Sequence, residues 1–232
     1  MTEGYPDYNK LKQAVIVGAT GQIGNAVTLV FAREGYKIDR TWVTPDHPDA
    51  TDPKSYENMP DVVHSAVYLP GLNIRKAAEE LSFDEWKRVF SVNVDGAFHF
   101  AQALFPRMVR ADGASLIFCS SIFTTHPYPE TAAYAAAKGA LEGLSRALAV
   151  EWGPQNIRVN CLRIGHLPKP LKTSVTSPHL LSRVSRSTPS GNLVDANDIA
   201  RIVCALTESP SISGAVIDID CAYPINRFPM RF

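Results

Sequence analysis

The chain has 232 residues, 45% hydrophobic and 20% charged, with Lys+Arg and Asp+Glu both at 23. That is enough chain for one large core, and the charge balance leaves no global field to attract nucleic acid or an anionic membrane. Cys119, Cys161, Cys204 and Cys221 stand far apart, no His cluster has metal-ligand spacing, and no run of roughly 18 apolar residues exists; a metal site, an export leader and a membrane span are therefore not expected, and a reducing cytoplasm is.

Residues 1–11 form a polar N-terminal arm. Short apolar, β-rich runs at 13–17, 37–43, 61–67, 115–120, 158–164 and 215–220 then alternate with helical patterns at 23–34, 82–110, 131–152 and 195–208. This alternation predicts an α/β fold with a parallel sheet covered by helices on both faces, in one domain over 1–232. Gly35 stops the first helix, a Ser82-Phe-Asp-Glu85 capping box opens the second, and Gly153-Pro154 ends the third. Between Val43 and Asp61 only 17 residues remain, among them Pro45, Pro48, Pro53 and Pro60, too few and too broken for a full crossover. A shortened fold is expected there. The long irregular stretch 166–193, rich in Ser, Thr and Pro, reads as a lid.

Gly18, Gly21 and Gly24 lie where the first strand turns into the first helix, in Gly18-Ala-Thr-Gly-Gln-Ile-Gly24. A dinucleotide pyrophosphate binds at such a turn: glycine lets the backbone approach the phosphates, and the helix start offers free N–H groups and partial positive charge. The candidate contacts are Gly18, Thr20, Gly21, Gln22, Ile23 and Gly24, on a Rossmann-like doubly wound sheet.

Tyr134 and Lys138 are one helical turn apart in Tyr-Ala-Ala-Ala-Lys. Residues i and i+4 share a helix face, so an ammonium at 138 stands beside the phenol at 134 and favours its ionised form, making it a candidate proton donor or acceptor. Tyr8 and Lys12 have the same spacing but lie in or beside the polar arm, with no glycine loop before them.

With the glycine loop first and Tyr134/Lys138 later, the chain resembles the short-chain dehydrogenase/reductase family, of the single-domain Tyr-x-x-x-Lys kind. The likeness runs from Lys12 to Ala222. Asn93-Val-Asp-Gly96 is similar to its Asn-x-x-Gly motif, Cys119-Ser-Ser121 to its strand-ending serine pair, and Asp49-Ala-Thr-Asp52-Pro53 to its adenine-contacting segment. Ile157-Arg-Val-Asn160 is similar to its sixth strand and Val216-Ile-Asp-Ile-Asp220 to its last, while Val62-Val-His-Ser-Ala66 lies where the family has an Asn-Asn-Ala-Gly strand end. The resemblance implies an NAD(P)-dependent oxidoreductase, most simply a ketoreductase, whose fold is shortened between the family's strands 2 and 4. Tyr134 would be the acid or base, its pKa brought near 7 by Lys138 and the oxidised nicotinamide. Ser121 would bond the substrate oxygen, Lys138 the nicotinamide ribose, and Asn93 would hold a water that relays protons to Lys138. Asp49, Ala66, Gly165 and Leu167 complete the implied coenzyme contacts.

The chain also departs from the family pattern. The usual strand end has become His64-Ser-Ala-Val67, which puts an isopropyl group where glycine normally lines the cleft, and Ile164-Gly165 replaces Pro-Gly. The second strand lacks a carboxylate at Trp42; Arg40 with Thr41 would meet a 2′-phosphate, while Asp39 would instead read a ribose, so NADP is favoured weakly over NAD. From Trp152 to Val194 there is no acid, but Arg158, Arg163, Lys169, Lys172, Arg183 and Arg186 are present, with His166 and His179. Such a basic lid suits a small carbonyl or alcohol substrate that is anionic or carrier-linked. Small residues at Ala132, Ala136, Ala140 and Gly143 and the family's habit imply a homodimer or homotetramer. Two rival readings are a non-catalytic dinucleotide-binding regulator or scaffold, motivated by the altered strand end at 64–67 and the trimmed region before Asp61, and a coenzyme-using epimerase or lyase.

Overall fold

The computed structural model describes residues 12–39, 49–168 and 178–223. Within them six parallel strands form one sheet in the order β2-β1-β3-β4-β5-β6: β1 Gln13–Val17, β2 Lys37–Asp39, β3 Ser65–Tyr68, β4 Ala114–Ser121, β5 Ile157–Ile164 and β6 Val216–Ile219. The helices are α1 Gln22–Arg33, α2 Phe83–Phe90, α3 Gly96–Val109, α4 Ala132–Trp152, α5 Pro178–Ser187 and α6 Ala196–Glu208. The α/β class, the parallel sheet and its covering by helices on both faces are as the sequence predicts.

Strand β1 shows why the sheet needs two covers. Val15 and Val17 pack toward Phe100 and Leu104 of α3 and Leu141 of α4, whereas Ala14 and Ile16 pack toward Val27 and Phe31 of α1 and Ile199 and Val203 of α6. Alternate side chains therefore enter different cores, and a strand apolar from Ala14 to Val17 is satisfied on both faces. Each such Val or Ile contributes about 1.5–3 kcal/mol on burial.

The shortened region follows β2. Among the described residues between β2 and β3 there is a single 3₁₀ turn, Pro53–Tyr56, and no crossover helix; Asp52 opens the turn, its side chain accepting from Lys54 N–H. Tyr56 fills the gap. It is 1% exposed, lies 5.3 Å from the Phe100 ring and donates its hydroxyl to Ala50 O at 2.7 Å. Arg107 on α3 ties the segment down by donating to Glu57 O, at 2.9 Å, and to Met59 O, at 3.4 Å. The expected β2 residues 40–43 lie outside the described residues.

Three elements differ from expectation. The helical pattern 82–110 opens with the predicted Ser82/Glu85 capping box but is divided by a π-helical turn, Ser91–Asp95, into α2 and α3. The third strand begins at Ser65, because the chain before it is occupied elsewhere: Val63 N–H bonds to Arg107 O, and His64 N–H to Gln13 O while its Nδ1 accepts from Gln13 N–H. The stretch 166–193 contains the amphipathic helix α5, whose local pattern is masked in sequence by its Ser and Arg content.

Candidate active site

The carboxyl ends of β3, β4 and β5, with Ile23 from the start of α1, open into a cavity of about 150 Å³. On one side stands the glycine turn. Gly18 has φ +85, a left-handed conformation that favours glycine, and a Cβ on Gly24 would lie 2.2 Å from Gly18 O. The close approach of helix and strand thus requires the third glycine. Gly21 caps α1 without any side-chain hydrogen bond, so the first N–H groups of this twelve-residue helix remain unpaired by side chains. Thr20, Gly21 and Gln22 are exposed at this helix start, and Ile23 lines the cavity. A tight glycine turn, an uncapped helix N-terminus and an adjoining cavity fit a dinucleotide pyrophosphate.

The opposite wall comes from β4 and α4. Ser120 and Ser121 are adjacent but turned to different tasks. The Ser120 hydroxyl donates to Glu142 Oε1 at 2.8 Å, whereas Ser121 lines the cavity beside Tyr134, its Oγ accepting from Phe123 N–H at 3.3 Å. Tyr134 and Lys138 also line it, at 8% and 3% exposure. Burial pushes the Tyr134 phenol up to about 12, against which the Ser121 hydroxyl pulls down. The resemblance implies that Lys138 and the oxidised nicotinamide together bring this phenol near neutrality; the protein's own groups, Lys138 among them, leave it raised. The Lys138 Nζ lies 5.7 Å from the Tyr134 ring centroid and donates at 2.8 Å to Cys119 O, and burial lowers its own pKa to about 8. Desolvation opposes the charged form of both groups and is the largest cause of each shift.

Asn93 is fully buried in the π-helical turn. Its Nδ2 donates to Val89 O and to Leu72 O, each at 2.8 Å, so the side-chain amine is spent holding backbone, while Oδ1 is buried without a partner. Of the remaining candidates, Gly165 and Leu167 line the cavity. A Cβ on Gly165 would stand 2.8 Å from Asp220 Cα. Asp49 is exposed, outside the cavity wall, and accepts from Thr51, whose hydroxyl and N–H hold its carboxyl below the usual range. Arg40, Thr41 and Trp42 lie outside the described residues.

Ala66 is a correction. It is fully buried within β3, paired with Val15, and does not reach the cavity. The strand ends later, at Tyr68-Leu-Pro-Gly71, and Leu69, Gly71 and Asn73 form the wall. A glycine therefore does stand in the cleft, and the altered strand end that motivated a non-catalytic reading disappears. His64 sits at the opposite end of β3, bonded to Gln13, with its pKa lowered by burial and by Lys12. The Pro70-Gly71 turn after an apolar run was the sequence signal for the true strand end.

The basic lid is also corrected in part. Arg163 lies in β5 and pairs with Glu142 and Asp218, each at 2.8 Å. Arg158 donates both terminal nitrogens to the last carbonyls of α6, Leu206 O and Thr207 O, at 2.6 Å. Arg183, Arg186 and His179 are on α5, which contributes Leu181 to the cavity wall; Lys169 and Lys172 lie outside the described residues. Phe123 and His166 were not foreseen as cavity residues, and His166 stacks edge-on against Phe123, Tyr128 and Tyr223.

A family model described as enoyl-(acyl carrier protein) reductase matches residues 53–223, well over half of the chain. The chain belongs to the short-chain dehydrogenase/reductase family. Members of this family are NAD(P)-dependent oxidoreductases acting on alcohols and carbonyls. A tropinone reductase homolog of Arabidopsis thaliana is 32% identical over 161 residues, 68% of this chain and 61% of that protein. An NADP-dependent (R)-specific alcohol dehydrogenase of Lentilactobacillus kefiri is 29% identical over 247 residues, covering 94% and 98% of the two chains. Among solved structures, a 3-ketoacyl-(acyl-carrier-protein) reductase of Brucella melitensis complexed with NADH superposes with TM-score 0.82 at 24% identity, covering 91% and 98%. This last likeness concerns the fold.

Proposed function

We propose that the protein is a ketoreductase that moves a hydride between a nicotinamide coenzyme and a carbonyl or secondary alcohol, with Tyr134, Ser121 and Lys138 at the reacting end. The observation that carries this reading is the meeting of these three side chains on one cavity wall, facing an uncapped helix start built on Gly18, Gly21 and Gly24. The nicotinamide supplies or accepts the hydride. Tyr134, protonated through neutrality, gives its proton to the carbonyl oxygen in reduction and regains one when the direction reverses. Ser121, on the same cavity wall as Tyr134, orients that oxygen. Lys138 anchors the ribose from its seat on Cys119 O, and Asn93 acts by holding the cleft loop at Leu72 and by keeping an unpaired Oδ1 for a relay water.

NADP is the favoured coenzyme over NAD, on the presence of Arg40 near the end of β2 and the likeness to an NADP-dependent relative. The chain is read as one catalytic domain with residues 166–193 as its lid and residues 1–11 as an arm. The exposed Phe98 and Val109 on α3, Val150 on α4, and the exposed Ala132, Ala136 and Gly143 support a homodimer or homotetramer through these helices. A reducing cytoplasm suits four unbridged cysteines.

The test is oxidation of NADPH and of NADH over a panel of ketones and aldehydes, followed at 340 nm. Turnover that favours NADPH is expected. Tight coenzyme binding without turnover on any member of the panel would overturn the catalytic reading.

A further inference from the structure

Two polar groups in the cavity wall take no part in the proton-transfer set. Asn73 is 5% exposed, and its Oδ1 is buried without a hydrogen-bond partner among the described residues. The loop carrying it is pinned on both sides: Leu69 N–H donates to Val17 O at 3.1 Å, Leu72 O accepts from Asn93 Nδ2 at 2.8 Å, and Lys76 N–H donates to Glu130 O at 3.1 Å. The amide is thus held against the cavity. His166 also lines the cavity, its Nε2 is likewise buried and unpartnered, and its ring is held edge-on by Phe123, Tyr128 and Tyr223. Burial lowers that imidazole to about 4, so the ring is neutral at physiological pH.

A native fold rarely leaves a buried carbonyl oxygen without a donor, and a pinned loop cannot relieve it by turning away. Among the described residues the wall holds one ionisable cation, Lys138, and its ammonium is already bonded to Cys119 O. Such a wall suits neutral hydroxyls better than carboxylate or phosphate.

We propose that the substrate carries, besides the oxygen that meets Tyr134, a hydroxyl that donates to Asn73 Oδ1, with a further oxygen bonded at His166 Nε2. The substrate class is a hydroxylated ketone or polyol and not a simple alkyl ketone. A hydroxyl both donates and accepts, so it serves the amide oxygen and either tautomer of the imidazole. This assignment rests on the hydride-transfer reading above and adds the recognition of a second oxygen.

The experiment compares cyclohexanone with 2-hydroxycyclohexanone as substrates. In parallel it compares cyclohexanol with cyclohexane-1,2-diol as ligands of the NADPH-loaded protein, by thermal shift. The wild type is expected to prefer the hydroxyketone in kcat/KM by about five- to tenfold, one neutral hydrogen bond's worth, and to be stabilised more by the diol. In Asn73→Leu the ratio and the diol-specific shift both shrink, whereas His166→Phe, which keeps the ring packing, leaves them in place because these ligands carry a single extra hydroxyl. Equal kcat/KM for the two ketones with equal shifts for the two alcohols overturns the proposal while leaving the oxidoreductase reading in place. A diol-specific shift lost in Asn73→Leu, with neither ketone consumed, upholds the subsite and removes the ketoreductase reading. Absence of both turnover and shift removes both. The wild-type comparison alone can refute the idea if a variant fails to fold.

Discussion

The side-chain amide of Asn93 reaches across 21 residues of sequence to donate to Leu72 O at 2.8 Å, while bonding its own helix at Val89 O over the same distance. One residue thereby stabilises a widened helical turn and fixes the loop that carries Gly71 and Asn73 into the cavity. Helix distortion and cleft wall have one cause.

Replacing Asn93 by Ala removes both donors and leaves two carbonyls to find new partners. A loss of about 2–4 kcal/mol in urea unfolding is expected, together with a fall in kcat/KM. Unchanged stability would separate the turn from the loop.

Tyr134→Phe keeps the ring and removes the hydroxyl that meets Ser121. Turnover is expected to fall by about 10²–10⁴ while coenzyme affinity, measured by fluorescence titration, stays within a few fold. Retained turnover would remove the acid/base role.

Lys138 is buried and its pKa falls from 10.5 to about 8. Below pH 8 the folded protein carries the full cost of the buried ammonium. From pH 8 to 10.5 the folded lysine loses its proton before the unfolded one does, so its contribution to stability rises with pH. Lys138→Met should therefore be more stable than wild type at pH 7, by up to roughly 3 kcal/mol, with the gap closing by about pH 10, even as activity is lost. Denaturant melts at the two pH values check this.

His166 behaves oppositely on the acid side. Its folded pKa of about 4 lies below the ordinary 6.5, so as pH falls through that window the unfolded chain takes up a proton that the folded one refuses, and stability drops. His166→Phe should flatten part of the decline in Tm between pH 6.5 and 4. His64, also depressed by burial and by Lys12, keeps the remainder.

A methyl at Gly24 would sit 2.2 Å from Gly18 O and 2.6 Å from Ala19 Cα, both backbone atoms that cannot yield cheaply. Gly24→Ala is expected to lower Tm and to abolish the rise in Tm that coenzyme produces. Thermal shift with and without NADPH measures both.

Much of this protein was legible along the chain. The β1 boundaries, the Ser82/Glu85 capping box, the glycine turn and the Tyr134/Lys138 pair all follow from patterns within a few residues, because helix and strand periods and cap chemistry are local. The neighbouring serines are told apart by what they meet: Ser120 bonds to Glu142 and Ser121 lines the cavity.

What tertiary structure alone decided were matters of which distant groups meet. Arg163, read from sequence as part of a basic lid, is consumed by Glu142 and Asp218, 21 and 55 residues away. The register of β3 was settled by pairing with β1, from His64 bonded to Gln13 at its start to Tyr68 beside Val17 at its end, which carried the cleft wall from Ala66 to Gly71. The raised phenol of Tyr134 and the unpaired amide of Asn73 arise from burial, and burial depends on the whole packed fold. Local pattern determines elements and motifs; long-range contact and the exclusion of water determine which charges are free, which are spent, and which polar atoms still await a partner.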